Sequence, residues 1–248
     1  MKTSIDLHWG FAARRTLFSK TRDSYLIPPP TTFIGALAYG LARVRGLSEE
    51  VDAGGESLSS AELLRRYVHS VNVAVNTTLI HYSDLGRIWW YRVRERKAKF
   101  DAVALGKVYV GHSTSPHMEV IYVVRGDEEL LKDLVVATYS MLRLGCKEGL
   151  LSVKSVSYGV PEEVGADVVK TRYSFWLDIV ESIRGDYVRQ DVIDYRSTPI
   201  GEYSKAKFRT MAYPYSIGRG RGVPVSVVLN KSKAKALNVR GEVIIVEW

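Results

Sequence analysis

The chain has one cysteine, Cys146, one glutamine and four asparagines among 248 residues. A lone cysteine excludes an intrachain disulfide and a cysteine-rich zinc site. Scarce amides are the habit of proteins from hot environments and bear on source rather than function. No apolar run approaches the ~20 residues needed to span a bilayer. The opening Met-Lys-Thr-Ser-Ile-Asp lacks the apolar core of a signal peptide. These absences predict a soluble, cytoplasmic protein without membrane contact. Hydrophobic residues make up 46% and charged residues 25%, which excludes wholesale disorder and allows one large domain or two small ones.

Positive charge is in excess, and it is concentrated. Lys and Arg number 35 against 27 Asp and Glu. Residues 87–107 carry +5, residues 196–222 carry +5 and residues 231–240 carry +4, leaving −6 for the rest of the net +8. Clustered cations in an otherwise acidic chain are the footprint of a polyanion partner, nucleic acid above all, although each window can also be read as a solvated face.

Along the chain, Ile5, Leu7 and Trp9 alternate as one buried side of a strand. Pro28, Pro29 and Pro30 hold the chain extended. A helix follows, capped by Thr31 or Thr32, with Phe33, Ile34, Leu37, Ala38, Leu41 and Val44 at helical spacing. Gly35 and Gly40 inside it each cost about 1 kcal/mol, which predicts close approach to a sheet or a partner. Residues 48–61 read as an acidic surface loop. The strand Ser70–Val75, the basic stretch 87–107 and strands at 108–111 and 118–124 come next. A helix then has Asp127 as N-cap and Gly145 placed to end it, followed by a strand through Leu151 and Val156. Strand, helix, strand, strand, helix, strand is the ferredoxin-like pattern, which RRM domains use to bind RNA. Beyond residue 160 the sequence reads as strands and loops.

Three groups of residues can carry chemistry. In Trp89-Trp90-Tyr91-Arg92-Val93-Arg94-Glu95-Arg96-Lys97-Ala98-Lys99-Phe100, the alternating Arg92, Arg94 and Arg96 would share one strand face. Cations that grip phosphates beside rings that stack on bases suit single-stranded nucleic acid, while the plainer reading is an exposed hairpin with a solvated basic side. Ser216-Ile217-Gly218-Arg219-Gly220-Arg221-Gly222 is neither a P-loop nor a dinucleotide fingerprint; it reads as a phosphate-contacting turn or simply a tight one. Lys205, Lys207 and Arg209 would serve the same surface. Among the histidines His8, His69, His81, His112 and His117 no pair has metal-protease spacing, and neither a metal nor a cofactor is expected. His112 and His117, near Lys107 and Tyr109, are the candidates for a metal-independent ribonuclease; the alternative is turn histidines with no catalytic part.

Tyr25-Leu26-Ile27-Pro28-Pro29-Pro30-Thr31-Thr32-Phe33-Ile34-Gly35-Ala36-Leu37-Ala38, preceded by Gly10-Phe11-Ala12-Ala13-Arg14-Arg15, resembles the N-terminal signature of the CRISPR-associated Cas-five family, RAMP-superfamily subunits of type I Cascade complexes. Related RAMP subunits of type III complexes share a similar proline-rich entry to the helix. The resemblance continues loosely through Leu142-Arg143-Leu144-Gly145 and Leu151–Val156. It implies an α+β chain with a ferredoxin-like RAMP domain over 1–160. A β-hairpin thumb would be inserted at about 82–112, and a β-rich part would occupy 161–248. It implies a subunit that caps the 5′ handle of CRISPR RNA at one end of a protein backbone, beside the backbone and large subunits, with target DNA met only indirectly. RNA-binding candidates are then Arg14, Arg15, Trp90, Arg92, Arg94, Arg96, Lys97, Lys99, Lys205, Lys207, Arg209, Arg219 and Arg221. Tyr25, Pro28, Pro29, Pro30, Thr31 and Gly35 form the signature loop and helix. One branch of the family cleaves precursor RNA with Tyr, Lys and an adjacent His. This sequence has no Lys-His pair, so a non-catalytic subunit is expected, most compatible in composition with subtype I-A. The competing readings are a processing endoribonuclease, a type III subunit and an RNA-free interaction module.

Overall fold

The computed structural model describes residues 1–15, 23–52, 57–112, 116–201, 203 and 206–248. At its centre lies a four-stranded antiparallel sheet. It is built from β1 (Lys2–Leu7), and further along the chain come β2 (Gly10–Phe11), α1 (Pro30–Arg45), β3 (Glu50–Asp52), β4 (Ser57–Ser59), α2 (Ala61–Arg65) and β5 (Val68–Val75). The long strands β6 (Leu79–Arg92) and β7 (Lys97–Val110) follow, then β8 (Met118–Val124), α3 (Glu128–Tyr139) and β9 (Leu151–Ser157). The sheet order is β5-β8-β1-β9, every neighbour antiparallel. β1 is central, so its Ile5 and Leu7 are buried. Trp9 does not continue that buried row: the strand ends at Leu7, and Trp9 sits in the bend before β2, half-buried.

Helices α1 and α3 pack against each other. A Cβ on Gly40 would lie 2.0 Å from the carbonyl oxygen of Ala137 in α3, so only glycine permits this approach. The close contact that Gly40 predicts is therefore with a helix of the same chain. Gly35 has nothing within 4 Å of such a Cβ. Neither Thr31 nor Thr32 caps α1: Pro29 is the N-cap and Pro30 occupies the first helical position, where a missing N–H costs no hydrogen bond. Asp127 does cap α3, accepting the Leu130 N–H at 2.8 Å. That helix ends at Tyr139, well before Gly145. Gly145, at φ +74°, instead lets the following loop cross the first one. It bridges Ala12, whose carbonyl would clash at 2.4 Å with any side chain there. Residues 48–61 are not a plain loop either, because β3 and β4 pair as a short hairpin.

The remainder is strand-rich: β10 (Glu162–Val164), β11 (Val168–Thr171), β12 (Phe175–Trp176), β13 (Val180–Arg184), β14 (Val188–Ile193), β15 (Phe208–Tyr213), β16 (Tyr215–Ser216), β17 (Arg221–Gly222), β18 (Val225–Leu229), β19 (Ala234–Val239) and β20 (Glu242–Glu247). It forms three-stranded sheets β10-β19-β20, β11-β18-β13 and β12-β15-β14, with β16 and β17 as a small hairpin. One buried apolar cluster runs from Ile5 and Phe33 to Phe175, Val227 and Ile245, across residue 160.

Polar clasps reinforce this junction. Buried Asn72 of β5 donates to the carbonyls of Ser174 (2.8 Å) and Ile245 (3.0 Å). Lys2 lies 2.8 Å from Glu119 and 3.1 Å from Glu242, and Arg172 pairs with both acids. Gln190, the single glutamine, donates to the Ile27 carbonyl and accepts from its N–H, so it saturates the backbone just before three prolines.

Candidate nucleic-acid interface

Strands β6 and β7 pair along their whole length, from Leu79↔Val110 to Arg92↔Lys97, as a hairpin that stands out from the body. Alternation across a pleated pair gives it two faces. One carries Ile80, Tyr82, Trp90 and Arg92 with their register partners Tyr109, Lys107, Lys99 and Lys97; Asp84 is an acidic member of it. The other carries Leu85, Arg87, Trp89 and Tyr91 with Phe100. Trp89 and Phe100 meet edge to face at 4.1 Å, and both rings are more than half exposed. Large rings left in water on an extended strand pair mark an interaction surface.

Arg92, Arg94 and Arg96 do not share a face. β6 stops at Arg92, and residues 93–96 form the turn, with Arg96 at φ +49°. Arg92 lies 4.9 Å over the Trp90 ring and pairs with Glu95 at 2.6 Å. The cations of the hairpin face are therefore Arg92, Lys97, Lys99 and Lys107, with Arg94 and Arg96 at the tip.

At its root the hairpin is tied to the N-terminal loops. β2 pairs with β7, Gly106 packs on the backbone of Asp23 and Ser24, and His81 lies 2.9 Å from Asp23. Two clefts open here. One of about 700 Å³ lies at the start of α1, lined by Arg14, Tyr25, Pro29, Thr31, Thr32, Gly35, Tyr39 and Arg143 among others. The second, about 650 Å³, is lined by Arg14, Thr32, Asp23, Lys107 and Lys147. They share Arg14, Thr32 and Gly145, so the groove runs on from the helix N-terminus to the hairpin root. Gly35 keeps this groove open, since a side chain there would project into empty space. Tyr25 fixes one wall: its hydroxyl donates to the Asp191 carbonyl at 3.0 Å, and burial pushes its pKa up to about 12, so it is protonated at neutral pH. Arg143, absent from the sequence candidates, stacks 4.9 Å over Tyr39, whose ring also has Arg43 at 5.1 Å. Only the bridging of two distant loops by Gly145 brings Arg143 there, a contact that leaves no local mark in the sequence.

The other candidates separate. Arg14 and Arg15 are exposed at the groove, Arg15 lying 3.8 Å from Asp23. Arg219 and Arg221 are exposed on the β16–β17 hairpin. That hairpin packs beside the end of β5 and the start of β6: a Cβ on Gly222 would lie 2.0 Å from the Val75 carbonyl, and the Tyr215 hydroxyl accepts the Leu79 N–H at 2.9 Å. The Gly220 N–H is spent on the Ile217 carbonyl, so the alternating glycines build a tight turn rather than an anion cradle. Lys207 is exposed, and Lys205 lies outside the described residues. Arg209 is not available to RNA. It is largely buried over the Trp176 ring (4.6 Å) and bonded to Glu247 (2.9 Å) and Asp178 (2.7 Å).

The four nuclease candidates take part in separate contacts. His117 Nδ1 accepts the Leu7 N–H at 3.2 Å, and Tyr109 packs against Trp9 and Tyr82. Lys107 lines the cleft, and His112 is exposed beyond β7. Residues 113–115 between the histidines lie outside the described residues. Among the described residues no hydrogen bond joins any two of the four, and no group of three His, Cys, Asp or Glu side chains could hold a metal ion. No helix among them is long and apolar enough to cross a membrane.

Residues 9–214 match the family described as CRISPR-associated protein (Cas_Cas5). A relative from Saccharolobus solfataricus, "CRISPR system aCascade subunit Cas5 1", is 32% identical over 180 residues, 70% of each chain. A second from the same organism, "CRISPR-associated protein Cas5 3", is 29% identical over 178 residues, again 70% of each. A CRISPR protein from Archaeoglobus fulgidus superposes over 100% of this chain and 98% of its own, with a TM-score of 0.65 at 20% identity, which is a likeness of fold. By the extent of the family match and the identity to these relatives, the chain is a member of the Cas5 family of CRISPR-associated proteins.

Proposed function

We propose that this protein is a non-catalytic, cytoplasmic subunit of a type I Cascade complex that grips the 5′ handle of CRISPR RNA and caps one end of the protein backbone. Its neighbours are then the backbone and large subunits. In this reading residues 1–160 are a ferredoxin-like RAMP domain with the thumb at about 82–112, and residues 161–248 are its β-rich partner. The subtype I-A assignment is part of the same proposal and rests on composition. One observation carries the reading: exposed Arg92, Lys97 and Lys99, interleaved with aromatic rings, share a face with half-buried Lys107, which lines a groove bordered by Arg14 and Arg143. Cations beside stackable rings hold single strands through phosphates and bases together.

The test is a titration of the chain with labelled repeat RNA in EDTA at several salt concentrations, read on native and denaturing gels. Shifted, intact RNA whose affinity falls steeply with salt is the expected result. Shortened RNA, lost on His112→Ala or His117→Ala, would replace this reading with a processing nuclease. RNA that stays unshifted at every salt concentration would leave protein contacts as the use of the hairpin.

A further inference from the structure

We propose that Trp9, Tyr109 and Tyr82 form a stacking platform for unpaired nucleobases at the root of the hairpin. This rests on the RNA-binding reading above and names the site where bases, rather than phosphates, are held. The rings form a chain: Trp9 to Tyr109 is 5.5 Å between centroids, tilted 58°, and Tyr109 to Tyr82 is 5.9 Å, tilted 59°. Tyr109 is the central wedge, and the outer two rings present the open surfaces. Tyr82 is 47% exposed and Tyr109 37%. A strand pair free to bury these rings in the core would do so, because exposed aromatic area is costly in water.

The platform is built rather than incidental. Gly10, at φ +152°, lets the chain turn hard against β7, where a Cβ would lie 1.9 Å from the Val108 carbonyl; this crossing sets Trp9 on Tyr109. The Trp9 indole N–H then donates to the Glu148 carbonyl at 2.6 Å, and the Val110 N–H donates to the Trp9 carbonyl at 3.0 Å. The ring is thereby oriented before any ligand arrives, which lowers the ordering cost of binding. Register puts Lys107 directly across from Tyr82 on the same face, a cation where the phosphate of a stacked nucleotide would pass. From Tyr82 the face continues ten residues to Arg92, about 33 Å of strand. Bases at the root and phosphates toward the tip are thus divided along one surface.

The test uses fluorescence anisotropy with two labelled single-stranded RNAs, one with all its bases and one with abasic sites throughout. Trp9→Ala and Tyr82→Ala are each expected to weaken binding of the base-bearing strand about tenfold. They should leave the abasic strand and the salt dependence unchanged, and Trp9→Phe and Tyr82→Phe should restore affinity to within about twofold. Alanine variants that bind the base-bearing strand like the wild type would overturn the platform, as would an equal loss on the abasic strand. A wild-type chain that binds neither RNA would overturn the RNA-binding reading itself. Because Tyr82 lies on the exposed hairpin, its variant stays informative if Trp9→Ala fails to fold.

Discussion

The hairpin and the C-terminal windows hold nearly equal charge, +5 over 87–107 against +5 over 196–222 and +4 over 231–240, and the fold spends that charge in opposite ways. On the hairpin Arg87, Arg92, Arg94, Arg96, Lys97 and Lys99 stand in solvent, with Glu95 the ion partner of Arg92, and Lys107 lines the cleft. In the C-terminal part, acids distant in sequence come back to meet Arg196, Arg209, Lys231 and Lys235, while Lys207, Arg219 and Arg221 stay at the surface. Glu247 takes Arg196 and Arg209, Asp178 takes Arg209, Asp167 takes Lys231 at 2.5 Å, and Glu163 takes Lys235 at 2.9 Å. A window's net charge therefore says little about availability. What matters is whether the fold returns a carboxylate to it, and among the described residues the ion pair of a hairpin cation is the local one of Arg92 with Glu95.

Four measurements press on this contrast. Glu247→Ala leaves the largely buried Arg209 short of a partner and should cost about 3 kcal/mol in denaturant unfolding, while RNA affinity of the folded protein stays unchanged; a lost affinity would place Arg209 in the interface after all. Replacing Arg92, Lys97 and Lys99 together by alanine should do the reverse. RNA binding should weaken roughly 100-fold and the salt slope flatten by about two, with stability moving by no more than about 0.5 kcal/mol. Equal loss of both would mean that the hairpin cations are structural.

The third measurement is pH. Burial raises the Glu242 pKa, but bonds from Arg172 and Lys2 outweigh it and hold the group below the usual carboxylate range. A depressed folded pKa means that this stabilisation is present above the unfolded value and lost as pH falls through the folded one. Thermal stability should decline below about pH 4.5, and Glu242→Gln should flatten that decline while lowering stability at pH 7. The smallest effect is expected for Lys231→Ala and Lys235→Ala, about 0.5 kcal/mol each at most, since exposed pairs contribute little. Neither should change RNA binding, and if either did, the contrast would be drawn in the wrong place.

Local signals were legible wherever the physics is local. Asp127 announces α3 because a carboxylate at that position meets an N–H three residues on. The hairpin shows itself as a basic, aromatic run between two strand-like segments, and Gly40 through its cost inside a helix. What failed was long-range. Gly145 reads as a helix stop, yet its left-handed backbone serves a crossing with Ala12. Arg94 and Arg96 look like strand partners of Arg92 because nothing in that run marks the turn. Arg209 reads as RNA-facing because Asp178 and Glu247 lie 31 and 38 residues away. Trp9 looks like a core residue by alternation, and only the bend after Leu7 turns it toward Tyr109.

The length of β6 has a further consequence. It is the outer strand of its sheet, and beyond Leu79, whose N–H goes to the Tyr215 hydroxyl, alternate residues turn their backbone groups to an open edge beside exposed Leu85, Trp89 and Tyr91. Such a rim is a template for adding another strand, and mutual repulsion among the arginines and lysines of neighbouring copies is what keeps it vacant. Concentrated salt, the usual means of stripping RNA from a basic protein, shortens that repulsion to about 3 Å at 1 M. The purified chain should therefore self-associate when it is cleaned most thoroughly, with sedimentation coefficients that rise with salt, and an assembled neighbour or a bound strand would act as its solubiliser.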